Sequence, residues 1–120
     1  MCSPEELPQV LSEVVTGLKD VFGAKLEDVI LYGSCARGEA DEESDIDIMA
    51  LISGVSREEL WRYDTAVSRQ LSRIEREWDY DVLLCVILED VSTFEKYADY
   101  TPFFKNVMLE GISLVRAAVH

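Results

Sequence analysis

Apolar residues at Leu7, Val10, Leu11, Val14, Leu18, Val21 and Phe22 recur every three or four positions, which predicts an amphipathic helix over residues 5–22. Ser3 and Glu6 have the spacing of a capping box, with Pro4 in the first helical position. Pro8 argues against so early a start, because a proline past the first turn removes a hydrogen bond. Gly23 is placed to end the helix. The short apolar run Val29–Tyr32 reads as a buried strand. Residues 46–52 read as a second strand, whose first part alternates: Asp45 and Asp47 on one face, Ile46 and Ile48 on the other. Ser53 and Gly54 close it. A long helix is predicted from Ser56, with Glu59 completing a capping box and Leu60, Val67, Leu71, Ile74 and Trp78 forming the buried stripe. Asp81 to Leu88 reads as a third strand, nearly all apolar beyond its first residue. Ser92 and Glu95 cap a short helix, Thr101 and Pro102 open another that Gly111 stops, and Ile112 to Val115 reads as a short last strand. This alternation predicts an α/β or α+β fold, a small sheet flanked by helices. With no repeat, linker or low-complexity segment, residues 1–120 read as a single domain.

Charge narrows the partners. The formal net charge is −13, from 24 acidic and 11 basic residues. So negative a surface repels a phosphate backbone, which makes a long nucleic acid a poor partner and a basic protein a better one. No apolar run approaches the roughly 20 residues that span a bilayer, and the first residues lack the pattern of a signal peptide. A cytoplasmic location is the resulting expectation. Cys2, Cys35 and Cys85 are odd in number and widely spaced, so reduced thiols are expected rather than a disulfide framework or a metal finger. The single histidine is His120, the last residue, which argues against chemistry built on a histidine base.

The candidate chemistry lies between residues 33 and 47. Residues two apart on a strand point the same way, so Asp45 and Asp47 project side by side. Two carboxylates held this close repel, and a divalent cation removes the conflict. Hard oxygen ligands suit Mg²⁺, which commonly takes one or two carboxylates plus substrate phosphates. Asp81, at the mouth of the third apolar run, is a third carboxylate. If the second and third strands are neighbours, the three acids converge and form a site for two metals about 3.5–4 Å apart. On that reading Asp45 and Asp47 hold the nucleotide metal, and Asp81 completes the second site or takes a proton from the attacking hydroxyl. Asp79 is the rival for the third place.

Gly33 and Ser34 directly follow the first strand. Glycine permits close backbone approach and positive φ, the next residues can begin a helical turn with N–H groups facing an anion, and the Ser34 hydroxyl can donate to a phosphate oxygen. Arg37 is the sole basic residue between Lys25 and Arg57. It is a candidate to steer a triphosphate, with pairing to Glu39 or Asp41 as its plainer role.

Gly33-Ser34, ten intervening residues and Asp45-x-Asp47, set after an apolar strand, resemble the DNA polymerase β-like nucleotidyltransferase superfamily. The fuller string from Tyr32 to Gly38, with Glu43-Ser44-Asp45-Ile46-Asp47, looks like its minimal nucleotidyltransferase branch, as does the tail from Thr101 to Gly111. The resemblance implies a mixed sheet with helices, Mg²⁺ dependence, and transfer of a nucleoside monophosphate, with AMP from ATP as the expected case, with loss of pyrophosphate. Carried over by position, Gly33 and Ser34 bind phosphates, Asp45 and Asp47 bind metal, and Asp81 matches the third acid; Cys35 fills a variable position. Minimal nucleotidyltransferases are often paired with a HEPN-domain protein, and such an antitoxin adenylylates a tyrosine of its HEPN toxin. The alternatives are a non-catalytic nucleotide-binding or partner-masking module, and transfer to a small molecule. Two further features stand apart. Arg69, Arg73 and Arg76 make a basic stripe on the long helix, expected to be a solvated face with local pairs such as Glu58–Arg62 and Arg73–Glu77. Tyr97, Tyr100, Phe103 and Phe104 form an aromatic cluster, expected to pack on the core, with a homo-oligomer or partner interface as the other reading.

Overall fold

The computed structural model describes residues 5–39 and 45–116. Helix α1 (Leu7–Phe22) starts two residues later than its spacing predicts. That start puts Pro8 in the first turn, where a missing N–H is no loss. Ser3 and Pro4 lie outside the described residues. Strand β1 (Leu26–Tyr32) is followed by the one-turn helix α2 (Ser34–Arg37) and then by β2 (Ile46–Ile52), which has the predicted bounds. A 3₁₀ segment, Arg57–Tyr63, precedes α3 (Asp64–Glu77), so the long helix expected from Ser56 is split, and the Ser56 side chain makes no cap bond. Then come β3 (Leu84–Asp90), α4 (Val91–Tyr97), α5 (Pro102–Glu110) and β4 (Ile112–Ser113).

The strand order is β3–β2–β1–β4. β1 is antiparallel to both β2 and β4, while β2 and β3 are parallel. The sheet is therefore mixed, and the fold is α+β. Its two faces are covered differently. Ile46, Ile48, Ala50 and Ile52 of β2, with Val29 and Leu31 of β1, pack under α1 and α3 against Val14, Leu18, Val67 and Ile74. The opposite face is shielded by α4 and α5, where Ile30, Met49 and Leu51 meet Phe94, Phe104 and Val107. Trp78 at the end of α3 donates its indole N–H to Glu13 of α1 at 2.6 Å, which ties the two covering helices together. No helix among the described residues is long and apolar enough to cross a membrane.

Several boundaries moved for identifiable reasons. β1 begins three residues before the apolar run because Asp28 is buried within it, only 3% exposed. Its carboxylate accepts hydrogen bonds from the Val29, Val115 and Arg116 N–H groups and from the Ser113 hydroxyl, so the buried charge is satisfied and fastens β4 to β1. α4 is capped by Asp90, which accepts from the Ser92 N–H at 3.2 Å and the Thr93 hydroxyl at 3.0 Å. Ser92, the expected cap, lies inside the helix, because β3 runs straight into α4. β3 itself starts three residues later than expected. The chain first makes a tight turn in which the Asp81 N–H donates to the Trp78 carbonyl, with Asp79 and Tyr80 both at positive φ.

Replacing Asp28 by alanine strands several buried donors at once and should cost on the order of 3 kcal/mol. Urea denaturation of D28A beside the native protein checks this, and an unchanged midpoint would rule out the clamp.

Candidate active site

The site is built where β1 ends and β2 begins. The chain leaves Tyr32, turns at Gly33 with φ +76°, and enters α2, where the Gly33 carbonyl accepts from the Ala36 and Arg37 N–H groups. β2 returns antiparallel, so Asp47 stands opposite Tyr32. A Cβ on residue 33 would lie 2.5 Å from Oδ2 of Asp47. The positive φ favours glycine, and a larger residue would have to displace the Asp47 carboxylate, which lies close against the turn. Asp45 lies just ahead of β2, exposed, and Asp47 is half-buried. The pair is held in register by Ile46 and Ile48, which are wholly buried on the opposite face. A slip of one residue would put both isoleucines in water and both carboxylates in the core.

Negative charge crowds this corner. Burial, and then the charge of Asp45, holds the Asp47 carboxyl above its ordinary range. The Tyr32 hydroxyl is pushed up to about 12, first by burial and then by Asp47 and Cys85. Burial raises the Cys85 thiol too, with added repulsion from Asp47 and Asp45. Every shift favours the neutral form, so this is a place where a cation would relieve repulsion. Two adjacent carboxylates are hard oxygen donors, which fits one Mg²⁺ completed by phosphate oxygens and water.

The other expected residues fall as follows. Gly33 and Ser34 are at the turn with the carboxylate pair. Arg37 is exposed and bonds Glu39 at 3.0 Å and Glu110 at 3.1 Å, partners that raise its pKa further. Asp81 is exposed in the turn before β3, and the parallel register sets Cys85 level with Asp47. The Trp78–Asp81 turn uses up residues that were read as strand, so β3 begins at Leu84. Asp79 is exposed in the same turn, at positive φ. Among the described residues, no group of three or more His, Cys, Asp or Glu is disposed to hold a metal ion.

Sequence reasoning missed two neighbours. Cys85 stands level with Asp47 on the neighbouring strand, which only the strand register reveals. Phe103 of α5 meets Tyr32 edge-on, with ring centroids 5.6 Å apart, and beside them a cavity of about 180 Å³ is lined by Gly33, Arg37, Asn106 and Glu110. Phe104, from the same aromatic cluster, packs on Phe94 in the core as expected, whereas Tyr97 and Tyr100 stay exposed. On α3, Arg73 bonds Glu77 as expected, while Arg62 pairs with Glu59 rather than Glu58. Cys35 is buried, and its thiol lies 3.7 Å from the Asp45 carbonyl, a packing role.

A glycine–serine turn pressed against an Asp-x-Asp strand end, on a mixed sheet with helices on both faces, defines a nucleotidyltransferase-type protein. The chain belongs to the nucleotidyltransferase domain family, whose model matches residues 11–113. It is 30% identical over 103 residues to "Putative protein adenylyltransferase MJ0604" of Methanocaldococcus jannaschii, covering 86% of this chain and 92% of that protein. A second protein of that organism, "Putative protein adenylyltransferase MJ0141", is 40% identical over 47 residues, covering 39% of this chain and 48% of its own length. Among solved structures, a "putative nucleotidyltransferase from Sulfolobus solfataricus" shares the fold. Its TM-score is 0.57 at 22% identity, over 91% of this chain and 82% of that one. A structure described as a toxin-antitoxin with AMP-PNP shares it at TM-score 0.50 and 21% identity, over 86% and 70%.

Two predictions follow from this geometry. Gly33→Ala forces a side chain against Asp47 and should lower nucleotide turnover about 100-fold through displacement of the turn, measured as kcat/KM with the fold checked by circular dichroism. The second concerns Asp47. Its carboxyl is raised in the folded chain, so its contribution favours the fold below its ordinary pKa of 3.8 and is lost as pH rises through the carboxylate range. Cation-free Asp47→Asn should therefore melt higher than the native protein at pH 7, with the gap closing towards about pH 3. An equal gap at both pH values would contradict the burial of that charge.

Proposed function

We propose that this chain is a Mg²⁺-dependent adenylyltransferase that moves AMP from ATP to a tyrosine of a HEPN-type toxin and thereby acts as its antitoxin in the cytoplasm. The observation that carries the catalytic reading is the Gly33 backbone lying against the Asp47 carboxylate beside Asp45. It supports the reading because a turn suited to a phosphate and a carboxylate pair suited to a hard cation are neighbours. The protein acceptor is supported by the names of the Methanocaldococcus relatives, and the toxin partner by the fold shared with a toxin-antitoxin that carries an ATP analogue. A net charge of −13 favours a basic protein over RNA as the surface this chain binds.

In the proposed reaction, the backbone at Gly33 and the hydroxyl of Ser34 bind phosphate oxygens, and Arg37 lends positive charge near the turn. Asp45 and Asp47 would hold Mg²⁺, which when bound neutralises charge building up on the phosphates. The acceptor oxygen attacks the α-phosphorus, the bond to the pyrophosphate oxygen breaks, and the hydroxyl proton leaves to water. Catalysis here is positioning plus electrostatic stabilisation.

The test uses ATP labelled on its α-phosphate, Mg²⁺ and a HEPN-type toxin supplied with this chain. Label should appear on a toxin tyrosine, and Asp45→Asn or Asp47→Asn should cut it at least about 100-fold. Full neutralisation of the toxin by those variants without label transfer would show a masking module instead. Label passing only to a small hydroxylated acceptor would overturn the protein target.

A further inference from the structure

We infer that the acceptor protein docks on the outer edge of β3, laying a short extended segment along Val86 to Leu88 as a fifth strand, with its tyrosine lying across Cys85 towards Asp47. The inference rests on the protein-acceptor reading above and concerns how that acceptor is held.

β3 ends the sheet on one side and β4 on the other. Edge strands are commonly guarded against pairing with another chain by shortness, charge, proline or cover. β4 is guarded by its length of two residues. β3 runs for seven residues without a proline. Its register fixes which backbone groups point outward. The Leu83 carbonyl accepts from the Ile46 N–H of β2, so the groups of Cys85 and Ile87 turn inward and those of Leu84, Val86, Leu88 and Asp90 turn outward. The two ends of this outer row are occupied: Glu75 of α3 accepts from the Leu84 N–H at 2.9 Å, and Glu89 accepts from the Asp90 N–H at 3.0 Å. Between those two carboxylates, the Val86 and Leu88 N–H groups are not bonded by any described residue. They and the carbonyls beside them are what an incoming strand pairs with.

The side chains place the same edge beside the site. Leu83, Cys85 and Ile87 form an exposed row on the face that carries Asp47, while Leu84, Val86 and Leu88 pack on the core of the other face. Cys85 is level with Asp47. A strand added outside β3 stands two strand spacings, about 9–10 Å, from β2. A tyrosine on it, level with Cys85, crosses the small thiol between Leu83 and Ile87 and brings its hydroxyl towards the carboxylate pair.

Charge selects the occupant. Asp45 and Asp47 lie beside the row, and Asp79 and Asp81 are exposed in the turn ahead of it. The chain carries −13 overall. A second copy of it meets repulsion at this edge, whereas a segment with lysine or arginine next to its tyrosine meets attraction.

Amide hydrogen exchange on the intact chain, alone and with the HEPN-type toxin, reads the pairing directly. The Val86 and Leu88 amides should exchange freely in the chain alone and slow by at least about tenfold in the complex. Val86→Pro removes an outward N–H without removing a bond to β2, and Ile87→Lys sets a cation in the row. Each should raise KM for the toxin about tenfold, with AMP-PNP binding unchanged. Label reaching a toxin tyrosine while both amides stay unprotected would overturn the inference and leave the adenylyltransferase reading standing. Protection that appears in the chain alone and grows with its concentration would give the edge to a second copy, and would overturn it too. Absence of label on any protein acceptor would overturn both. Should Val86→Pro not fold, the exchange comparison on the native chain decides by itself.

Discussion

The contact between the Gly33 backbone and the Asp47 carboxylate is the constraint on which the rest of the site depends. It exists because three things coincide: a residue without a side chain, a left-handed turn at the end of β1, and an antiparallel return that sets Asp47 opposite Tyr32. The return is held by hydrophobic burial. Ile46 and Ile48 are sealed beneath α1 and α3, and the alternation of a strand does the rest, sending Asp45 and Asp47 to the other face. The site is thus the polar consequence of an apolar choice made one residue away.

The same arrangement explains the electrostatics. Burial and mutual repulsion raise the Asp47 carboxyl, the Tyr32 phenol and the Cys85 thiol together, so this corner is unfavourable to its own charge without a cation. Elsewhere a buried carboxylate has the opposite task. Asp28 is surrounded by backbone and hydroxyl donors and fastens the edge of the sheet. One chain therefore uses similar side chains for two purposes, set by whether hydrogen-bond donors or another acid stand beside them.

Much of this was legible in the residues. β2 alternates cleanly, so its bounds and the pairing of its aspartates on one face could be read directly. Pro102 and Gly111 punctuate α5, and its bounds followed. Legibility failed where a local rule was overridden. The first strand was read from Val29, leaving Asp28 outside it, because nothing in the sequence shows that Ser113, Val115 and Arg116 come back to bond it. Asp81 looked like the head of a strand, because a turn with two non-glycine residues at positive φ, Asp79 and Tyr80, leaves no sequence mark. The place of Cys85 beside Asp47 was hidden for a related reason. Which β3 residue faces Asp47 is a matter of register, and register is fixed by partners distant in the chain.

The central claim is that nucleotide phosphate and cation meet between the turn after β1 and the head of β2. Backbone amide NMR of the ¹⁵N-labelled protein, titrated with Mg²⁺ and AMP-PNP, tests it most directly. The account predicts the largest shifts at the amides of Gly33 to Arg37 and Asp45 to Asp47, with smaller ones at Tyr32 and Cys85. Shifts centred instead on the arginine face of α3, with those amides unmoved, would contradict it.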